Sequence, residues 1–327
     1  MPRPRIFISQ RLPDEIAEEA RRHVEVDMGD NPHPLPTPEL IRRLQGAAGL
    51  VCPSTDKITA EVLSVPGLKV IANVAVGYNN VDVPAATARG IVVTNTPRVL
   101  DETTADLAFA LLMAVARRIV ESDRWLRTGA WKTWTFFDWL AADIHHKTLG
   151  IVGFGRIGQA VARRARGFGM TVLYTQRHRA DAAAERAVEA RYVDKATLLA
   201  EADFVTLHCP LTPETTHYID AAALARMKPT AFLVNASRGP VVDERALVEA
   251  LGAGRIAGAG LDVYEREPAI EPGLVDLPNV VLTPHIGSAT KETRWAMART
   301  AVENCVAVVT GGRPITPVNP EALERRV

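Results

Sequence analysis

The stretch Thr148-Leu149-Gly150-Ile151-Val152-Gly153-Phe154-Gly155-Arg156-Ile157-Gly158 carries the fold of this chain, and a helical pattern continues from it through residues 159–168. An apolar run, a tight glycine turn and a helix start, in that order, set backbone N–H groups where a dinucleotide's pyrophosphate can rest on a helix N-terminus. Gly153 makes the turn, Gly155 lets the phosphates approach the backbone, and Gly158 lets helix and strand pack closely. Three glycines at this spacing are a weak signal alone. Their flanks make them a strong one.

Downstream, strand patterns at 148–152, 171–176, 204–208, 231–235, 258–263 and 280–283 alternate with helical patterns at 195–200, 220–227 and 243–252. Six strands in one such series predict a doubly wound nucleotide-binding fold. Upstream, strand patterns at 5–9, 24–28, 49–52, 68–74 and 91–93 alternate with helices at 13–22, 38–45, 59–64 and 82–89. The proline-rich stretch 31–38 reads as a surface connection, with a recognition segment as the alternative. One long helix, 101–118, crosses into the second domain, and the helix 291–310 carries the chain back. The expected architecture is therefore α/β with two doubly wound parallel-sheet domains. One is a discontinuous, flavodoxin-like substrate domain (1–100 and 289–327), the other a Rossmann NAD(P)-binding domain (101–288), with a ligand cleft between them. Four of the five tryptophans, Trp125, Trp131, Trp134 and Trp139, crowd one stretch without a period. They fit either a subunit interface, which makes 101–144 a dimerisation arm, or an intramolecular loop.

Composition narrows the partner. Lys plus Arg equals Asp plus Glu at 38 each, so no basic excess points to nucleic acid or an anionic membrane, and a small molecule is expected. Cys52, Cys209 and Cys305 are scattered and odd in number, which fits reduced thiols in the cytoplasm and no metal site. No apolar stretch near the start reads as a secretory signal, and 107–116 is too short to span a bilayer. The doublet His145-His146 is read as a surface turn, because adjacent residues do not face one ion.

Further motifs resemble the D-isomer-specific 2-hydroxyacid dehydrogenases over nearly the whole chain. They are Ala75-Val76-Gly77-Tyr78-Asn79-Asn80-Val81-Asp82, the fingerprint itself, His208-Cys209-Pro210-Leu211-Thr212, Asn235-Ala236-Ser237-Arg238-Gly239, Leu261-Asp262-Val263-Tyr264-Glu265-Arg266-Glu267-Pro268 and Thr283-Pro284-His285-Ile286-Gly287. Within the family, 149–169 and 174–179 look most like the glyoxylate and hydroxypyruvate reductases. The resemblance implies NAD(P)-dependent reduction of a small 2-oxo acid: a hydride to C2, a proton to the carbonyl oxygen and a counter-charge for the carboxylate. Other 2-oxo acids, such as 2-ketogluconate or phenylpyruvate, and a non-catalytic dinucleotide sensor are the alternatives.

His285 suits the general acid, because an imidazole exchanges protons near neutrality. By resemblance Glu267, the acid directly before Pro268, pairs with it, and Glu265 does not. Arg238 offers a planar fork for the substrate carboxylate. Val76 and Gly77 should give it backbone N–H groups, and Ser54 lines the same pocket. In the reductase branch a tryptophan of the neighbouring subunit reaches the active site, and Trp139 matches it by its distance from Gly153. NADPH is expected over NADH. In NAD-preferring relatives an Asp ends the second Rossmann strand and repels a 2′-phosphate. Here Gln176 stands there, with Arg177 and Arg179 beyond it to pair with the phosphate and no anion to oppose it. Thr104, Arg156, Ile157, Cys209, Pro210, Thr215 and Asp262 complete the cofactor contacts by resemblance, and a homodimer is expected.

Overall fold

A parallel sheet needs short apolar strands covered on both faces. The first unit, residues 1–100 with 289–327, meets that requirement. The computed structural model describes residues 2–30 and 34–324, so the first three residues of the proline-rich connection lie outside it. Five strands, β1 (Arg5–Ile8), β2 (Glu25–Met28), β3 (Gly49–Cys52), β4 (Val70–Asn73) and β5 (Val92–Thr94), pair in the order β2-β1-β3-β4-β5, all parallel. Helices Asp14–Arg21 and Lys291–Val309 cover one face, setting Ile16, Ala298, Val302 and Cys305 against Ile8, Val51 and Ala72. Helices Thr37–Leu44 and Val83–Ala88 cover the other with Leu40, Leu44 and Ala86 on Phe7, Leu50 and Ile71. Both central strands, β3 and β4, are buried throughout. At about 1.5–3 kcal/mol for each large aliphatic side chain taken from water, they anchor the unit. The helix expected at 59–64 is only a single 3-10 turn, Val62–Ser64, because Pro66 and the left-handed Gly67 follow at once.

The second unit, 101–288, contains β6 (Thr148–Val152), β7 (Thr171–Thr175), β8 (Ala190–Tyr192), β9 (Phe204–Leu207), β10 (Phe232–Asn235), β11 (Gly258–Leu261) and β12 (Val280–Leu282). They pair in parallel as β12-β11-β10-β9-β6-β7-β8. That is seven strands, one more than the pattern predicted. The missed strand, β8, is three residues long at the sheet edge with two of them exposed, so it leaves no apolar run to read. Chain order reverses between β6 and β9, and at such a switch point an open α/β sheet binds its ligand beyond the strand ends. The glycine turn sits there.

The helix expected over 101–118 is one helix, two residues shorter than expected, and a second helix that was not expected follows it. Asp101–Ala116 stops, Arg118 adopts a left-handed conformation (φ 52°), and Ile119–Arg127 starts again. Arg118 is held in that turn by a forked ion pair to Glu121 at 2.7 and 2.8 Å and by stacking over Trp139, 4.8 Å from the ring centroid. The first helix is core, with Ala105, Ala108, Leu112 and Val115 packed among Leu149, Ile151, Val234 and Val281. The stretch after the second is not. Trp134, Phe136 and Phe137 are 70, 72 and 76% exposed. No helix among the described residues is long and apolar enough to cross a membrane.

Candidate active site

β6 delivers the glycine turn already buried, and each glycine meets a different constraint. Gly153 lies at φ +91°, and a Cβ there would stand 2.6 Å from the Cys209 nitrogen. At Gly158 a Cβ would stand 2.2 Å from the Gly153 carbonyl oxygen, so any side chain would lift the helix off the turn. Gly155, the N-cap of helix Arg156–Gly167, has nothing within 4 Å of that position. Open space over a helix N-terminus, with the Arg156 and Ile157 N–H groups in its first turn, fits a bound pyrophosphate. Arg156 is exposed, and its Nε donates to buried Asp101 at 3.1 Å.

Beyond β7, Gln176 closes the turn from the side. Its Oε1 accepts the Phe154 N–H at 3.0 Å, and its Nε2 donates to the His178 carbonyl at 2.7 Å. Arg177 is exposed, and an anion stands within reach of its charge: Glu214, held below the usual carboxylate range by the Thr212 side chain and, to a lesser degree, by Arg177. Arg179 corrects the sequence reading. Its guanidinium is forked onto Glu185, 2.8 Å on both arms, and the Tyr174 hydroxyl donates to the same carboxylate at 2.5 Å. These two donors hold Glu185 down to about 2, well below an ordinary carboxyl. An anion therefore does stand beside this arginine. It comes from the helix Ala182–Val188, which the pattern did not reveal. Across the switch point, burial pushes the Cys209 thiol up to about 11, so it stays protonated and is no nucleophile. Pro210 is exposed, and its carbonyl accepts the Thr215 hydroxyl at 2.6 Å, which closes that loop on itself.

The turn after β12 holds an imidazole paired with a carboxylate. His285 sits in a left-handed conformation (φ 53°), costly for a residue with a Cβ. Asp262, buried at the end of β11, holds it there. One of its oxygens accepts the Ile286 N–H at 2.8 Å and the Thr283 hydroxyl at 2.6 Å, and the other accepts the Gly287 N–H at 2.8 Å. The Asp262 carbonyl takes the His285 N–H at 2.9 Å. Thr104, in the second turn of its helix, lies beside Gly287 and this carboxylate. So aimed, His285 places Nδ1 2.8 Å from Glu267 Oε2, while Glu267 Oε1 accepts the Tyr264 N–H at 3.0 Å. A carboxylate only accepts, so Nδ1 carries the donated hydrogen and Nε2 is the exchangeable position. Burial pushes the Glu267 carboxyl up, but His285, the Tyr264 N–H and the charge of Arg238 more than offset it and leave it below the usual range.

Arg238 follows β10, and Asn235 fixes its loop by donating to the Arg238 carbonyl at 3.0 Å while accepting from Ser237. Crowding around its guanidinium lowers its proton affinity, and Glu267 pulls it back up. In the first unit, Asn95 and Asn73 each donate at 2.8 Å, to the Val76 and Gly77 carbonyls respectively. The N–H groups of Val76 and Gly77 have no partner among the described residues, which leaves them available to an anion. Ser54 is half-buried in the loop after β3. Trp139 packs within its own arm, against Trp125 at 5.2 Å and Arg118.

Sequence reasoning missed His208, whose Nε2 lies 2.9 Å from the Thr206 hydroxyl and whose buried Nδ1 has no partner among the described residues. Burial pushes it down to about 4, so it is neutral beside the glycine turn. Its place in His208-Cys209-Pro210 was the available signal.

Residues 109–287 match the family model described as D-isomer specific 2-hydroxyacid dehydrogenase, NAD binding domain. The chain is 51% identical over 329 residues to a glyoxylate reductase of Korarchaeum cryptofilum, covering 99% of this chain and 98% of the relative. It is 49% identical over 326 residues to a glyoxylate reductase of Thermococcus litoralis, covering 98% of each. Among solved structures it is similar to an NADPH-dependent glyoxylate/hydroxypyruvate reductase of Sinorhizobium meliloti in complex with NADP and malonate, with a TM-score of 0.88, 34% identity and 99% of both chains covered. A glycine turn at the switch point, an imidazole paired with a carboxylate and these full-length likenesses agree: the chain belongs to the D-isomer specific 2-hydroxyacid dehydrogenases.

Proposed function

We propose that this protein reduces glyoxylate to glycolate and hydroxypyruvate to D-glycerate, with NADPH preferred to NADH. The observation that carries the reading is the His285–Glu267 pair, held by Asp262 in a turn that is otherwise unfavourable. When bound, the nicotinamide supplies the hydride that adds to C2 of the 2-oxo acid. His285 Nε2 gives its proton to the carbonyl oxygen as that bond forms, and Glu267 stabilises the imidazolium beforehand. Arg238 binds the substrate carboxylate through its planar fork. In the first unit, the Val76 and Gly77 N–H groups and Ser54 are the residues proposed to bind substrate.

Support for NADPH comes from Gln176, which brings no negative charge to the end of β7, and from the exposed guanidinium of Arg177. The S. meliloti reductase, NADPH-dependent and solved with NADP, is in line with it. Thr104 and Asp262 lie toward the nicotinamide, and Cys209, Pro210 and Thr215 toward the adenosine. The exposed aromatics of residues 131–137 make 101–144 the arm of a homodimer, because so large an apolar surface is seldom left in water. In that dimer Trp139 is offered to the neighbouring site.

NADPH oxidation across a panel of glyoxylate, hydroxypyruvate, 2-ketogluconate and phenylpyruvate tests the substrate. The highest kcat/KM is expected for the two smallest acids, and no turnover of either refutes the reading. Gln176→Asp should move the NADPH-to-NADH ratio of kcat/KM towards NADH, and an unmoved ratio counts against the cofactor assignment.

A further inference from the structure

Glu265 lies two residues before Glu267 in the same loop yet faces away from the imidazole. Its Oε1 lies 2.5 Å from His217 Nε2, and its Oε2 accepts the Glu244 N–H at 3.3 Å, in the first turn of helix Glu244–Gly252. Glu244 returns the contact: its Oε1 accepts the Glu265 N–H at 2.8 Å. The Glu244 side chain is buried, and its other oxygen has no partner among the described residues. A buried carboxylate left half-satisfied costs stability. This one is spent on a backbone N–H in the loop that carries Glu267.

The same contacts reach Arg238. The chain after it, Gly239, lies so close to the next loop that a Cβ there would stand 1.8 Å from the Tyr264 carbonyl carbon. His217 donates its own N–H to the Pro240 carbonyl at 2.8 Å. Tyr264 donates its hydroxyl to the Thr283 carbonyl at 2.9 Å, two residues before His285. Three segments that diverge in sequence, 238–244, 264–267 and the loop containing His217, are thus tied at one point.

We infer that Glu265, Glu244 and His217 form a positioning clamp, which fixes the substrate-binding Arg238 against the Glu267–His285 pair. The inference rests on the catalytic reading of those three residues. None of the clamp residues is assigned to substrate or cofactor; they act through the two backbone segments that they join. Loss of the clamp lets the Glu267 loop slide, which loosens the imidazole contact and the carboxylate site together.

The test uses the full-length enzyme with NADPH and glyoxylate. Glu265→Ala and His217→Ala are compared with Glu265→Gln and with Glu267→Gln as reference, reading kcat, KM, NADPH Kd and Tm. Loss of a supporting contact of this kind lowers activity by about 10- to 100-fold. Glu265→Ala should do so with KM raised as well as kcat lowered, and NADPH Kd within about twofold. Glu265→Gln, which keeps an acceptor, should recover most of the activity. His217 is half-exposed, so His217→Ala should fold and carries the test if Glu265→Ala does not. Asp262, the other carboxylate whose charge acts on His285, is intact in every variant. A lower Tm with unchanged kinetics in both alanine variants, while Glu267→Gln is impaired, overturns the clamp. An unimpaired Glu267→Gln overturns the acid pair itself, and the clamp with it.

Discussion

Glu267→Gln isolates one charge. Glutamine has nearly the shape of glutamate and keeps an oxygen for the Tyr264 N–H, so the loop should hold while the imidazole loses its anionic partner. The contact is 2.8 Å, with the His285 and Glu267 side chains 41 and 33% exposed. Exposed pairs contribute about 0–1 kcal/mol and buried charge-assisted bonds about 1.5–3 kcal/mol. A pair so placed falls between them, at about 1.4 kcal/mol, which is about tenfold in rate. The direction follows from the geometry. The carboxylate accepts from Nδ1 and fixes the ring, so its removal loosens the group that aims Nε2. Reduction passes a proton from that imidazole, so kcat/KM for glyoxylate should fall by about tenfold. Oxidation of glycolate returns a proton to the same atom, so its kcat/KM should fall by a similar factor. Both follow from NADPH absorbance in buffers of constant ionic strength. Rates that match those of the parent enzyme in both directions would refute the pairing as part of the proton transfer.

The two arginines after β7 should separate. Arg177→Ala removes an exposed charge and should cut the NADPH-to-NADH ratio of kcat/KM by about 10- to 100-fold, as expected for one charge-assisted contact. Arg179→Ala should lower Tm instead, with a smaller change in that ratio, because Glu185 already holds its guanidinium. In the glycine turn, Gly155→Ala should leave Tm within a degree or two, given the open space at its Cβ, but raise NADPH Kd at least tenfold in a fluorescence titration. Gly158→Ala should instead lower Tm, since overpacking against the Gly153 carbonyl costs about 1–3 kcal/mol. His208 is held near 4, against 6.5 for a free histidine. Its contribution to stability is whole above 6.5 and is lost as pH falls towards 4, because the unfolded chain takes up the proton first. His208→Asn should therefore flatten the dependence of Tm on pH in that window, and an unchanged slope would place the buried proton acceptor elsewhere.

Much of this was legible from residue order. The βα alternation announced two parallel sheets, because strands buried on both faces must be short and apolar, and helices must supply the return. β8 escaped because an edge strand with exposed residues needs no such pattern. The helix end near Arg118 was read, but the helix Ile119–Arg127 escaped, because it buries no residue fully and starts from a left-handed arginine held by Glu121 and by Trp139, 21 residues further along the chain. Arg179 looked available because charge in a sequence carries no direction, and only the fold brings Glu185 against it.

The sequence by itself determined which atoms could do the chemistry: glycines that admit phosphates, an imidazole, a fork of N–H donors, and no acid at the end of β7. Composition and spacing suffice for that, because each function needs a residue type. Tertiary structure decided how they are held. Glu265 and Glu267 differ in sequence only by position, yet one meets His285 and the other His217 and helix Glu244–Gly252. Asp262 holds a left-handed histidine through N–H groups 24 and 25 residues away. Such assignments depend on distances of about 3 Å between segments remote in sequence, and only packing brings those segments together.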